Sequence, residues 1–397
     1  MQRFQNGWFI FSIYVLLTTG VSIQKYVLSV EEEKTFRHYN NYMIFKSSAK
    51  HLLEGKNLYA PYPDEYDDLY KYSPTFAAFM LFFSWMPNVV GLCAWNLLNV
   101  VPLFLAIWLL PFEEKKRALI AWLILPELLI NVQNAQSNGL IAACIILSFV
   151  AVERGDAKIA FLPITISMFI KLFGAIGAIV VAFSRKPLQI ILFGAIWTLV
   201  LLCLPLLLVP IDNLLWQYSN WWNLLKEDYA PIGGASIYSI WATWLKTEPP
   251  KLWLTSIGLF ALLAPLVQIK KYEILNFRTM YLGFLMIWMV IFNHRAESPT
   301  FIIAICGAML WFFVQENQEK NVANLVLLSV VLFCASILPS DLVPKSWTDF
   351  GWKYELKAIS TTLIWLKALY DLFTLKIEKQ KQELGNLTQV KMQNAMH

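Results

Sequence analysis

Charge is what this sequence has least of. Of 397 residues only 15% are Asp, Glu, Lys or Arg, while 58% are hydrophobic and the mean hydropathy is +0.53. A soluble globular chain carries roughly 25% charged residues, so a water-exposed fold is excluded as the main architecture. Histidine is scarce too: His38, His51, His294 and His397 are the only four, which leaves no His-rich metal cluster. The five cysteines (Cys93, Cys144, Cys203, Cys306, Cys334) sit inside apolar runs without metal or disulfide spacing, and read as small core hydrophobes. The basic residues form no stripe, so no nucleic-acid partner is expected. Neither a nucleotide motif nor a metal motif is present, and no cofactor is expected. The apolar runs do not alternate in ten-residue segments as a β-barrel requires.

What the chain does have is long apolar runs. Trp8 to Val27, Leu188 to Val209 and Val322 to Leu338 are long enough to cross a hydrocarbon core of about 30 Å as helices. The expected fold class is an all-α polytopic membrane protein. It forms one integral-membrane domain over 1–375, with outer loops at 28–73 and 210–250 and a polar cytoplasmic tail at 376–397. The first apolar run lacks a small-residue cleavage site and reads as a membrane helix, not a removed signal peptide. Half of the 32 basic residues fall in segments that share one side, including Pro111–Ala118, Ile269–Arg278 and the tail. The opposite connections, Asn131–Asn138 and Asn293–Glu297, hold only Arg295. The excess of Lys and Arg marks the first side, with both termini, as cytoplasmic. This topology needs Ile159 to Phe183 to break near Lys171. It also needs Pro74 to Met86 to enter the membrane without fully crossing. Such breaks are tolerated where they line a protein-walled cavity.

Polar groups from distant parts of the sequence then converge on one face. The longest early polar interval, Glu31 to Pro74, carries eight carboxylates. Asp64, Asp67 and Asp68 lie just before the membrane entrance at Pro74, where a carboxylate can serve as a general base or simply be solvated. Asp68 is expected to lie deepest; Glu31 to Glu33 read as a solvated run. Tyr42, Phe45, Ala49, Leu52 and Leu53 recur at helical spacing and predict a helix lying on the membrane surface. Asn41 sits at the edge of its apolar face. Gln136 and Asn138 in NAQSNGL either cap a helix or bind hydroxyls or a phosphate. Lys171, alone in an apolar run, needs an anionic ligand, an ion-pair partner or a snorkelling position. Ser236, after Gly233-Gly234, either caps a helix or helps its N-terminus hold a phosphate. Arg295, next to His294, suits phosphate recognition or lipid headgroups. The tryptophans around Trp221 read as an interfacial belt with core packing; sugar stacking is the alternative.

In order along the chain, YNNYMIFKSSAKHLLEGKNLY, DLYKYSPTFAAFMLFFSWMP, NAQSNGL, FIKLFG, GGASIYSIW and HRAESPTFIIA resemble glycosyltransferase family 87. These are polyprenol-phosphate-dependent mannosyltransferases of the GT-C fold class. The resemblance implies a GT-C-like bundle of about 12 transmembrane helices. It implies inverting transfer of a sugar, most often mannose, from a polyprenyl-phosphate donor to a lipid or glycan acceptor hydroxyl outside the membrane. A bacterial inner membrane is the expected location, with membrane lipids as further partners. Many family members carry an aspartate early in the surface helix, where this chain has Asn41. The base is therefore assigned to Asp68, with Asp64 and Asp67 as alternatives. Asn41, Lys71, Gln136, Asn138, Lys171, Ser236, His294 and Arg295 are implied as donor- or acceptor-binding residues, and no metal ligand is implied. Three rival readings are a transporter or flippase, for which no internal repeat is evident, a lipid-linked glycan ligase, and a catalytically inactive glycosyltransferase-like subunit, which Asn41 keeps open.

Overall fold

A computed structural model describes residues 2–30, 36–228, 234–315, 321–340 and 342–375. Glu31 to Glu33, Gly233 and the tail from residue 376 lie outside the described residues. The described chain is helical throughout and contains no strand. The helices are α1 (Gly7–Val30), α2 (Asn40–Leu53), α3 (Pro74–Phe79), α4 (Leu81–Ser84), α5 (Asn88–Trp108) and α6 (Glu114–Gln133). After them come α7 (Asn138–Glu153), α8 (Leu162–Ile170), α9 (Pro187–Cys203), α10 (Ile211–Asp228), α11 (Ile237–Leu245) and α12 (Lys251–Leu263). The last are α13 (Leu275–Ile291), α14 (Phe301–Phe313), α15 (Val322–Leu332), α16 (Lys345–Lys353) and α17 (Leu356–Thr374).

Among the described residues, three segments are long and apolar enough to cross a membrane: Gly7–Val30, Asn88–Trp108 and Pro187–Leu207. Six shorter apolar helices accompany them among the described residues. The outer faces remain apolar: Leu188 and Leu207 are each 81% exposed. Exposed apolar side chains over whole helix faces are what a lipid-facing surface requires. The chain is an integral membrane protein. All five cysteines are free; Cys144 and Cys306 are buried core residues as expected, whereas Cys203 is exposed. At the centre lie α13 and α14, in which almost every side chain is buried. Their backbones meet at Gly283 and Gly307, where a Cβ on either would lie 2.5 Å from the facing carbonyl oxygen. Small residues at such crossings let membrane helices approach closely.

Both irregular segments anticipated from the sequence are present. Helix α8 stops at Ile170, Lys171 is extended (φ −139, ψ 124), and a 3₁₀ helix runs from Leu172 to Phe183. The turn is tight enough that a Cβ on Gly174 would lie 2.7 Å from the carbonyl carbon of Ser167. Pro74 to Met86 folds as α3 and α4, of six and four residues. Even end to end these rise only about 15 Å, well short of a bilayer core. Ser73 caps α3 through the Phe76 amide, with Pro74 at the first helical position.

The second polar interval is more ordered than a loop. It forms α10 and α11, and α10 lies over the first interval. Gln217 accepts from the Leu58 amide at 3.2 Å and donates to the Lys56 carbonyl at 2.7 Å; Trp221 donates to the Lys71 carbonyl at 3.2 Å. Side chains of the second polar interval thus satisfy backbone groups of the first, a pairing that periodicity within either one does not reveal.

Candidate active site

The site is built where the C-terminus of α6, the N-termini of α3 and α7, the end of α8 and the segment 293–300 meet. The polar knot between α6 and α7 is held from below by α5. Trp95 donates to the Ala135 carbonyl at 2.8 Å, Asn96 to the Val132 carbonyl at 3.2 Å, and Asn99 accepts from the Leu140 amide at 3.1 Å. These three side chains follow one face of α5 and fix a loop in which Ala135 itself takes φ +48. Asn41, on α2, donates to the Asn134 carbonyl at 2.9 Å, so the surface helix is tied to the same knot. Neighbouring Asn40 pins the acidic loop through two bonds to the Asp67 backbone, at 2.7 and 2.8 Å.

The knot is fixed, and it aims two carboxamides at one lysine. Lys171 Nζ donates to Gln136 Oε1 at 3.2 Å and to Asn138 Oδ1 at 3.0 Å. Gln136 Nε2 in turn donates to Glu297 Oε2 at 3.0 Å. Gln136 and Asn138 therefore do not cap α7, whose N-cap, Ser137, makes no capping bond. Lys171 forms no ion pair with any described residue; its partners are neutral oxygens. Its ammonium also stands 5.9 Å from the centre of the Tyr72 ring. Tyr72 packs edge-on against Phe45 at 4.9 Å. Burial pushes the Tyr72 hydroxyl pKa up, and the charges of Glu297 and then Asp68 push it further. Both charges thus act on one tyrosine beside one lysine.

Asp68 is the sequence-based choice for the base. Its side chain is 60% exposed and sits 3.3 Å from Lys71 Nζ. Burial therefore does not set it apart from Asp64 and Asp67, which are also exposed. Its backbone does: φ is +75, a left-handed conformation that a side chain disfavours. Its own Oδ1 supports the turn by accepting from the Leu69 amide at 2.7 Å. Strain of this kind collects at functional sites.

The second flank is the contact between 234–236 and 293–297. The Ala235 amide donates to the Ala296 carbonyl at 2.8 Å. Gly234 has φ +113, and a Cβ there would lie 2.3 Å from the Ala296 oxygen, so only glycine fits. Ser236 is buried and forms a capping box with Ser239 at the start of α11. Its hydroxyl serves the helix, which is the plainer of its two sequence readings. The His294 ring lies 6.4 Å from that of Tyr238. Arg295 is half-buried two residues from Glu297.

Residues 70–340 match glycosyltransferase family 87. The chain belongs to this family. It is a membrane glycosyltransferase, and such an enzyme acts on a sugar donor and an acceptor. No curated protein matches the chain. The family match takes in Lys71, Gln136, Asn138, Lys171, Ser236, His294 and Arg295, and leaves Asn41, Asp64, Asp67 and Asp68 outside it.

Two groups escaped the sequence reading. Glu297 stands two residues from Arg295 in a motif already singled out, and its position in that motif was the available signal. Glu127 and Lys357 are a fully buried ion pair, 2.9 Å apart, at 0% and 4% side-chain exposure. A glutamate within LILPELLI and a lysine two residues after Glu355 were visible as charges in apolar runs. Nothing in the sequence showed that they meet.

Proposed function

We propose that this family 87 protein moves a sugar, mannose in this reading, from a polyprenyl-phosphate donor to a lipid or glycan hydroxyl, with inversion. The site faces the extracytoplasmic side of a bacterial inner membrane, with both termini in the cytoplasm. The observation that carries this reading is Lys171: a cation at a helix break, surrounded by neutral oxygens, beside an apolar groove. That groove is lined by Phe76, Phe79, Ile166, Phe169, Ile170 and Leu201. A polyprenyl chain lying there brings its phosphate to Lys171, since Ile170 directly precedes it.

Asp68 takes the proton of the acceptor hydroxyl as that oxygen attacks the anomeric carbon. The C–O bond to phosphate breaks on the opposite face, and its electron pair leaves with the polyprenyl phosphate. The transition state is oxocarbenium-like. A phosphate leaving group needs no proton when cations stabilise it, which gives Lys171 and Arg295 their roles. Gln136 and Asn138 hold the Lys171 ammonium in place. Asn41, Lys71 and His294 contribute to donor and acceptor recognition, with the Asn41 carbonyl oxygen suited to a sugar hydroxyl, while Ser236 shapes the flank by capping α11. No metal is needed in this scheme.

The test is transfer of labelled sugar from polyprenyl phosphate in membranes containing the protein. Asp68→Asn is expected to lower the rate by roughly 10²–10⁴-fold, the range for losing a general base. Undiminished transfer by that variant would remove Asp68 and turn attention to Asp64 and Asp67. Absence of transfer by the wild type would favour an inactive partner subunit, the reading that Asn41 supports.

A further inference from the structure

We propose that the buried Glu127–Lys357 pair is a positioning device: it holds segment 293–300, and with it Glu297, against Gln136. The inference rests on the transferase reading for its functional consequence, but the holding itself stands on geometry.

A buried ion pair contributes little net stability, because desolvation offsets its attraction; well-packed apolar residues often do as well or better. The Lys357 ammonium, however, does more than meet Glu127. It donates to Ser298 Oγ at 2.9 Å and lies 4.8 Å from the centre of the Phe301 ring, the first residue of α14. Glu127 is itself fixed: Oε1 takes the Lys357 bond and Oε2 accepts from Ser336 Oγ at 3.0 Å. Ser336 belongs to the π-helical turn Phe333–Ile337 that continues α15; such turns are frequent at functional sites.

Three consecutive residues of the segment are thereby held from three directions. Ala296 is held through its carbonyl by the Ala235 amide, Glu297 by Gln136, and Ser298 by Lys357. The polar chain continues from Gln136 to Lys171 and Asn138. Glu127 and Lys357 touch no reacting atom in this scheme, so they are positioning residues. Release of Ser298 lets Glu297 leave Gln136, and Gln136 then loses the bond that orients its carbonyl oxygen toward Lys171.

The experiment compares the full-length wild type with E127L/K357M, S298A and S298T in detergent or membranes. Two quantities are read: hydrogen exchange in peptides covering 293–300, and kcat with donor KM for labelled transfer. E127L/K357M removes both charges together and is expected to fold. Exchange in 293–300 should rise about tenfold while peptides of α13 are unchanged. Misplacement of this size costs roughly 10–100-fold in kcat, with donor KM nearly constant. S298A, which leaves the ion pair intact, should show the same signs more weakly, and S298T should restore both. Unchanged exchange in S298A and the double variant overturns the proposal, whatever the rates do. Raised exchange with wild-type kcat overturns the positioning role. Should the wild type transfer nothing, the transferase reading falls, and exchange alone decides whether the pair holds the segment.

Discussion

Two of the lysines set into this helical bundle, Lys357 and Lys171, are kept in opposite ways. Lys357 is closed: a carboxylate, a hydroxyl and an aromatic face account for its ammonium. Lys171 is open: two carboxamide oxygens hold it, and the carboxylate of Glu297 is set behind Gln136. Neutral oxygens orient an ammonium without cancelling its charge. A closed lysine fixes structure, whereas an open one retains charge for an incoming anion. In a membrane protein, where an unpaired charge is costly, the open arrangement is the one that calls for a functional explanation.

The largest expected contrast is in stability. Lys357→Met strands the Glu127 carboxylate in the core and should cost about 3–5 kcal/mol in denaturant unfolding. Lys171→Met strands no carboxylate, only the two carboxamide oxygens it bonds, and should cost about 1–3 kcal/mol. Equal losses would mean that Lys171 is as structural as Lys357 and would dissolve the distinction. A sharper form of the comparison converts one lysine into the other kind. Gln136→Glu gives Lys171 a carboxylate partner at the position of its present carboxamide. Transfer should then fall about 100-fold, the scale of losing one electrostatic contact to the developing charge. A Gln136→Glu variant with wild-type transfer would show that the charge of Lys171 is not used.

Much of this was legible in the sequence, for reasons that differ from residue to residue. The break at Lys171 was readable because a single crossing from Ile159 to Phe183 would have moved the later basic loops to the outer side. The short α3 and α4 followed from Pro74 and Pro87 bounding too few apolar residues. Helix α2 followed from its period, and Asn41 was placed at the edge of its apolar face, though not against the knot that its side chain meets. What the sequence could not show were pairings between distant segments. The Glu127–Lys357 pair joins residues 230 positions apart, and either charge alone reads as an isolated polar residue in a run. Ser236 was left between capping and phosphate binding, since both need the same residue at a helix start; the capping box resolves its hydroxyl's partner. The depth expected of Asp68 was inferred from its distance to Pro74. The chain instead turns through a left-handed residue there and leaves the carboxylate exposed.

The central claim is that Lys171 is the cation for the phosphate of a polyprenyl lipid. The most direct measurement is the affinity of the purified protein for polyprenyl phosphate, wild type against Lys171→Met, in detergent of fixed ionic strength. A charge-assisted hydrogen bond contributes about 1.5–3 kcal/mol, so the account predicts a Kd raised by roughly 10–150-fold with the fold intact. An unchanged Kd in a stable Lys171→Met protein would contradict it.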